Sequence, residues 1–110
     1  MASFIQVFTT TDKQDEAERI SQSLVEARLA GCVQILGPLT SCYHWQGRIE
    51  RAEEWLCLVK TRQDLYAAVE EMIRSRHSYE TPEIISIPIT AGSQDYLDWL
   101  GASLASPCEE

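Results

Sequence analysis

The chain has few basic residues and no long apolar run, and each absence excludes a class of function. Its 110 residues contain 9 Lys and Arg against 17 Asp and Glu, so the formal net charge is −8. Nucleic acids and anionic membranes attract basic surfaces, so neither is expected as a main partner. No apolar stretch is long enough to span a bilayer. The composition is otherwise that of an ordinary soluble globular domain.

The cysteines lack the spacing of a metal-binding motif. Cys32, Cys42, Cys57 and Cys108 form no CxxC pair, which excludes a zinc-finger pattern. The N-terminal residues lack the charged segment and long apolar stretch of a secretory signal. We therefore expect a cytoplasmic protein with reduced thiols, in which an even cysteine count is poor evidence for disulfides.

Common catalytic motifs are also missing. The sequence has no GxxxxGK[ST] and no GxGxxG, so phosphate-loop nucleotide binding has no support. Ser41 and Ser78 lie near histidines, but no GxSxG surrounds either one. Cys32 opens a predicted strand among apolar neighbours, where a thiol is expected to be inert as a nucleophile. We expect a protein that acts by binding rather than as an enzyme.

Apolar periodicity divides the chain into alternating strands and helices. Segments 13–30 and 62–76 have helical spacing of apolar residues, whereas the flanking runs are rich in β-branched and aromatic residues. The predicted strands are 3–10, 32–45, 48–61 and 84–89, and a last helix covers 93–104, with Tyr96, Leu97, Trp99 and Leu100 inward. Gly31 is expected to end the first helix in a left-handed conformation, and Gly47 to form a tight hairpin turn.

The element order β-α-β-β-α-β-α predicts one α+β domain over residues 1–110. Two right-handed crossovers joined by a hairpin give a ferredoxin-like sheet with both long helices on one face. Strand residues of both parities are apolar, as in sheets buried on both sides. A hairpin arm of ~13 residues also spans roughly 43 Å and should overhang the body. We predict an obligate oligomer; the alternative is an exposed patch, or one covered by the last helix.

The segment from His77 to Ile84 concentrates groups that can bind ligands. It places an imidazole, a phenol and two carboxylates between a helix and a strand. His77 and Cys32 together suit copper or zinc, although Cys32 also fits a small core residue and His77 a helix C-terminal residue. Lys60 ends an apolar strand and could meet an anion beside His77, Tyr79 and Glu80, or its stem could simply reach solvent. The pair Glu53-Glu54 is expected to be solvated.

Several unusual residues in order resemble the CutA divalent-cation tolerance family from about Val7 to Trp99. The motifs carrying the resemblance are LAGCVQI at 29–35, SCYHWQG at 41–47, Lys60-Thr61 and HSYETPEI at 77–84. The resemblance implies a ferredoxin-like subunit in a tight homotrimer, similar in architecture to the PII signalling proteins. It also implies tolerance of copper and other divalent cations, with Cys32 and His77 at metal-ligand positions and Lys60, Tyr79 and Glu80 near an inter-subunit cleft.

Three departures from the family pattern concern the proposed site. Gly31 stands where alanine is common, Ser78 where proline is common, and Cys42 where a branched aliphatic residue is usual; we interpret Cys42 as a core substitute rather than an extra ligand. Two other functions compete with metal binding: a PII-like sensor of a small anionic metabolite, and a trimeric scaffold for a protein partner.

Overall fold

The computed structural model describes residues 3–106 and has the predicted element order. Its strands are β1 (Phe4–Thr11), β2 (Cys32–Trp45), β3 (Arg48–Arg62) and β4 (Ile85–Pro88). Its helices are α1 (Gln14–Glu26), α2 (Tyr66–Arg76) and α3 (Gln94–Ser103), and a short 3-10 turn, Gln63–Leu65, precedes α2. No helix of the described part is both long and apolar enough to cross a membrane.

The four strands form one antiparallel sheet in the order β2-β3-β1-β4. Consecutive strands β1 and β2 are separated by β3, as the two crossovers require, and the ferredoxin-like prediction is confirmed. Helices α1 and α2 cover one face, where Val7, Cys57 and Val59 are completely buried against Ile20 and Ile73. This helix face holds the main apolar core.

The opposite face of the sheet is open in its middle. Leu36, Ile85 and Ile87 are 54%, 53% and 47% exposed there, as the alternating parity of the strands predicts. Helix α3 covers only the end of this face near Phe4, against which Gly101 packs. Of the four α3 residues predicted to point inward, only Leu100 is fully buried, and Tyr96 and Trp99 stay largely exposed.

Helix α1 is shorter than predicted, and Gly31 does not end it. The chain leaves the helix at Ala27, and Arg28 takes the left-handed conformation with φ 59°. Gly31 is instead required by close packing, because a Cβ there would lie 2.5 Å from a methyl group of Leu100. The glycine thus allows α3 to approach the start of β2, while Gly47 has the positive φ expected of the hairpin turn.

Strands β2 and β3 form a long hairpin that gives the molecule an extent of 45 Å against 28 and 24 Å in the other directions. The pairing is interrupted between Leu36 and Leu39, where two residues of β2 stand opposite Trp55 alone. Such a bulge reverses the alternation of faces. Beyond it, Ser41 and Tyr43 therefore continue the open face that Leu36 occupies before it. Cys42, between them, is exposed, so its predicted place in the core is wrong.

Candidate functional site

The open face carries a polar group at its α3 end, built on β2 and β3. Cys32 begins β2 and pairs with Lys60 of β3, so the two side chains point to the same side. The Cys32 side chain is partly buried and its thiol contacts the hydroxyl of Tyr96 from α3. Burial, together with the neighbouring Cys32, raises the pKa of Tyr96, which keeps that hydroxyl protonated. A soft thiol ligand is therefore presented at a partly exposed position.

Lys60 supplies a cation to this part of the open face. Its Nζ donates a hydrogen bond of 2.6 Å to the Oε1 atom of Gln34. It forms no ion pair with any residue between 3 and 106. The positive charge is thus held by a neutral amide, which leaves it able to attract an anion.

His77 follows α2 and turns its ring into the protein, where the side chain is 0% exposed. Its Nε2 lies 2.7 Å from the carbonyl oxygen of Thr10, and the backbone N–H of Tyr79 donates to Nδ1 over 3.0 Å. Because a carbonyl only accepts, Nε2 must carry the proton, and Nδ1 is then the accepting nitrogen. Both ring nitrogens are engaged, so in this conformation neither is free to coordinate a metal.

Glu16 of α1 anchors the segment that begins at His77. The carboxylate is buried, and its Oε2 accepts hydrogen bonds from Thr11 Oγ1 at 2.7 Å and from the backbone N–H and hydroxyl of Ser78, both at 3.2 Å. Burial by itself raises the pKa of Glu16, but these hydrogen bonds outweigh it and hold the pKa below its usual value. Glu16 is therefore an ionised buried acceptor joining α1, β1 and the loop.

A second buried carboxylate, Glu54 of β3, joins this loop to the hairpin. Its Oε2 accepts the hydroxyl of Tyr79 at 2.7 Å and its Oε1 accepts that of Ser41 at 2.6 Å. Burial and the hydrogen bond to Glu54 strongly raise the pKa of Tyr79. Glu54 is only 6% exposed, so the predicted solvated pair is wrong for Glu54, although Glu53 is exposed. Glu80 is also exposed.

The structure brings the predicted residues together as two separate groups. Cys32 and Lys60 are neighbours, and so are His77 and Tyr79, whose rings lie 4.7 Å apart. Lys60 stands opposite Gln6 of β1, whereas His77 binds Thr10, four residues and roughly 13 Å further along that strand. One subunit therefore does not join Cys32 to His77, and residues 3–106 contain no cluster of three side chains suited to a metal.

The two buried carboxylates had only weak signals in the sequence. Glu16 lies four residues before Ile20 and next to Ala17, which places it beside the apolar stripe of α1. That spacing could have marked it as a buried acceptor. Glu54 precedes the apolar run of β3, and its burial depends on Ser41 and Tyr79, whose positions only the tertiary fold defines.

The chain is similar to proteins of one family over most of its length. The profile of the CutA1 divalent ion tolerance protein family matches residues 5–103. "Divalent-cation tolerance protein CutA" of Thermus thermophilus is 43% identical over 94 residues, covering 86% of this chain and 91% of that protein. "Protein CutA, chloroplastic" of Arabidopsis thaliana is 38% identical over 96 residues, and the match spans only 53% of that longer protein.

A solved structure agrees with this likeness. The fold superimposes on the divalent cation tolerance protein (Cut A1) from Thermus thermophilus with a TM-score of 0.90 and 39% sequence identity. The match covers 93% of this chain and 99% of the other. Fold, length and sequence therefore agree from β1 to α3.

Proposed function

Because the chain belongs to the CutA1 divalent ion tolerance family, we propose that it is a homotrimer that binds copper and acts in metal tolerance by binding rather than by catalysis. The observation that carries the metal-binding part is the position of Cys32. Its thiol is partly exposed on the open face, and thiolates favour soft metals such as Cu(I).

Self-association is supported by the open face of the sheet. Leu36, Ile85 and Ile87 are each about half exposed, and they lie on one side of the sheet together with Cys32 and Lys60. Monomeric proteins rarely leave so large a contiguous apolar patch in water. Burying this face between copies would also remove Cys32 from bulk solvent and place it beside a neighbouring subunit.

A copper site at Cys32 would need ligands from a second subunit, since residues 3–106 of one subunit hold no suitable cluster of three. We keep His77 as the candidate partner implied by the family resemblance. Its ring would have to release Thr10 or Tyr79 in order to coordinate, so we expect its contribution to be smaller than that of Cys32.

The test is a Cu(I) titration of the reduced oligomer against a competing chelator. We expect one metal per subunit, lost in Cys32→Ser and retained in Cys42→Ser, which removes an exposed thiol on the same strand. His77→Gln separates the two ligand assignments. Equal copper uptake by wild type and Cys32→Ser would contradict the site. If His77→Gln still bound one copper per subunit with wild-type affinity, Cys32 would be the only assigned ligand.

Lys60 favours a second candidate function, the binding of a small anionic metabolite between subunits. Its ammonium group has only the amide of Gln34 as a described partner. Tyr79 is less suited to this role than predicted, because its hydroxyl is already donated to Glu54. A metabolite that raises the melting temperature of wild type and of Lys13→Ala, but not of Lys60→Ala, would support this function. An absence of stabilising compounds in a broad screen would count against it.

The proposed location is a reducing compartment such as the cytoplasm. Cys32, Cys42 and Cys57 are all free thiols, and burial raises the pKa of Cys57, which keeps it protonated and unreactive. Cys108 lies outside the described residues.

A further inference from the structure

The helix layer contains a groove that the proposed metal and interface functions do not use. It lies between α1 and α2 and has a volume of about 260 Å³. One wall consists of α1 residues at successive helical turns, and Arg76 at the end of α2 forms the other. The lining residues are Arg19, Gln22, Ser23, Glu26 and Arg76.

The groove stays open to solvent when the opposite face of the sheet is covered. Its two helices pack on the face that contains Val7, Cys57 and Val59, whereas Leu36 and Ile87 point away from them. Assembly through the open face would therefore leave the groove on the outer surface of the oligomer.

Arg76 is held in the groove as a cation without an acidic partner. Its Nε donates to the hydroxyl of Ser23 at 3.1 Å and its Nη1 to that of Ser75 at 2.9 Å. It forms no ion pair within residues 3–106. The guanidinium is therefore positioned by neutral oxygens, and its remaining N–H groups can donate to a bound anion.

The α1 wall supplies a second guanidinium and three further polar groups. Arg19 is oriented by Asp15, whose Oδ2 lies 3.1 Å from Nη1. The hydroxyl of Ser23 accepts from Arg76, so its own proton is free to donate. Glu26 is the one carboxylate of the lining, and the amide of Gln22 binds its Oε2 at 2.8 Å.

We propose that this groove binds a small oxyanion, a phosphate or carboxylate group, between Arg19 and Arg76. Guanidinium groups bind such oxygens through paired, charge-assisted hydrogen bonds. The volume lies just below the range of about 300–1,000 Å³ that is usual for larger organic ligands, so a compact molecule fits best. The carboxylate of Glu26 in the lining disfavours polyanions through charge repulsion.

The proposal can be tested by titrating the oligomer with inorganic phosphate, and in a separate arm with acetate, at constant ionic strength. Isothermal titration calorimetry reports binding, and the NMR signal of the Arg76 Nε–H group reports its place. We expect saturable binding of at least one of the two anions, weakened at least tenfold in Arg76→Gln and in Arg19→Gln. Arg48→Gln is the matched control, because Arg48 is an exposed arginine at the hairpin turn, remote from the groove.

The site is supported if binding is saturable, weaker in Arg76→Gln and Arg19→Gln, and unchanged in Arg48→Gln. Comparison of the phosphate and acetate affinities then identifies the class of anion that binds. Two outcomes would overturn it: the absence of saturable binding in both arms, or equal affinity in all variants. Either would mean that Arg19 and Arg76 do not form an anion site. The result is independent of copper binding, since neither Cys32 nor the open face takes part.

Discussion

The hydroxyl of Tyr79 donates a 2.7 Å hydrogen bond to Glu54, a carboxylate that is almost completely buried. The two residues lie 25 positions apart in the chain, one in the loop after α2 and the other in the long hairpin. The same carboxylate accepts the hydroxyl of Ser41 from the other arm. One buried side chain thus fixes both arms of the hairpin to the loop that carries His77.

We expect Tyr79→Phe to destabilise the protein by ~1–3 kcal/mol, because it leaves a buried carboxylate with one donor fewer. Tyr43→Phe is the control, since Tyr43 is 41% exposed and forms no hydrogen bond through its side chain within residues 3–106. Urea unfolding at a fixed protein concentration measures both. Similar stabilities of the two variants would show that the contact with Glu54 contributes little.

Glu16→Gln should lower the stability by ~1–3 kcal/mol near pH 7, because the buried hydrogen bonds are stronger to a charged acceptor. The folded-state pKa of Glu16 lies below its usual value of 4.5. Its ionised form therefore adds stability above about pH 4.5, and this part is lost as the pH falls through the lower folded-state value.

The difference between wild type and Glu16→Gln should accordingly shrink in acid. Urea midpoints measured at pH 7, 4.5 and 3.5 test this, and Glu18→Gln, an exposed position on the same helix, should change little at any pH. If the difference in urea midpoint between wild type and Glu16→Gln stayed constant down to pH 3.5, the ionised state assigned to Glu16 would be contradicted.

Gly37→Ala should destabilise the hairpin by ~1–3 kcal/mol through overpacking. A Cβ at Gly37 would lie 2.5 Å from Cδ1 and 2.8 Å from Cγ of Trp55, and this ring packs against the core and cannot easily move. Gly101→Ala is the control, because its Cβ would meet Phe4 at an ordinary 3.5 Å inside α3. Alanine is the better helix former, so thermal unfolding should show Gly101→Ala to be at least as stable as wild type.

Ile87→Asp should break the proposed homotrimer into smaller species, because it places a charge in the middle of the open face. Val25→Asp introduces the same charge at a 43% exposed position on the outside of α1, and it should leave the assembly unchanged. Sedimentation at matched concentrations compares the two. If Ile87→Asp sedimented like wild type, association would have to use another surface.

The fold could be predicted because its elements depend on local patterns. The alternation of apolar residues defined the strands, and the parity of β3 and β4 revealed that both faces of the sheet are apolar. The end of α1 was placed wrongly, because the glycine rule assigned it to Gly31. In fact Arg28 takes the left-handed turn, and Gly31 is small because α3 packs against it.

The site was less predictable, because its geometry depends on contacts distant in sequence. The His77–Tyr79 segment was recognised as important, but the ring of His77 proved to be held by Thr10 and Tyr79. The buried state of Glu54 follows from Ser41 and Tyr79, which only the folded hairpin and loop bring near. Cys32 and His77 belong to different groups within one chain, a separation that their local sequence patterns did not reveal.

The extra residue between Leu36 and Leu39 decides which side chains of β2 lie on the open face in the rest of the hairpin: even-numbered residues before it, odd-numbered residues after it. Since Gly37 and Pro38 stand opposite Trp55 alone, pairing the same sequence one-to-one, without the bulge, would turn every later β2 side chain to the other face. Ser41 would then point away from Glu54, and Thr40 would take its place. The bulge in β2 is therefore as much a part of the loop anchor as the hydroxyl and the carboxylate that form it.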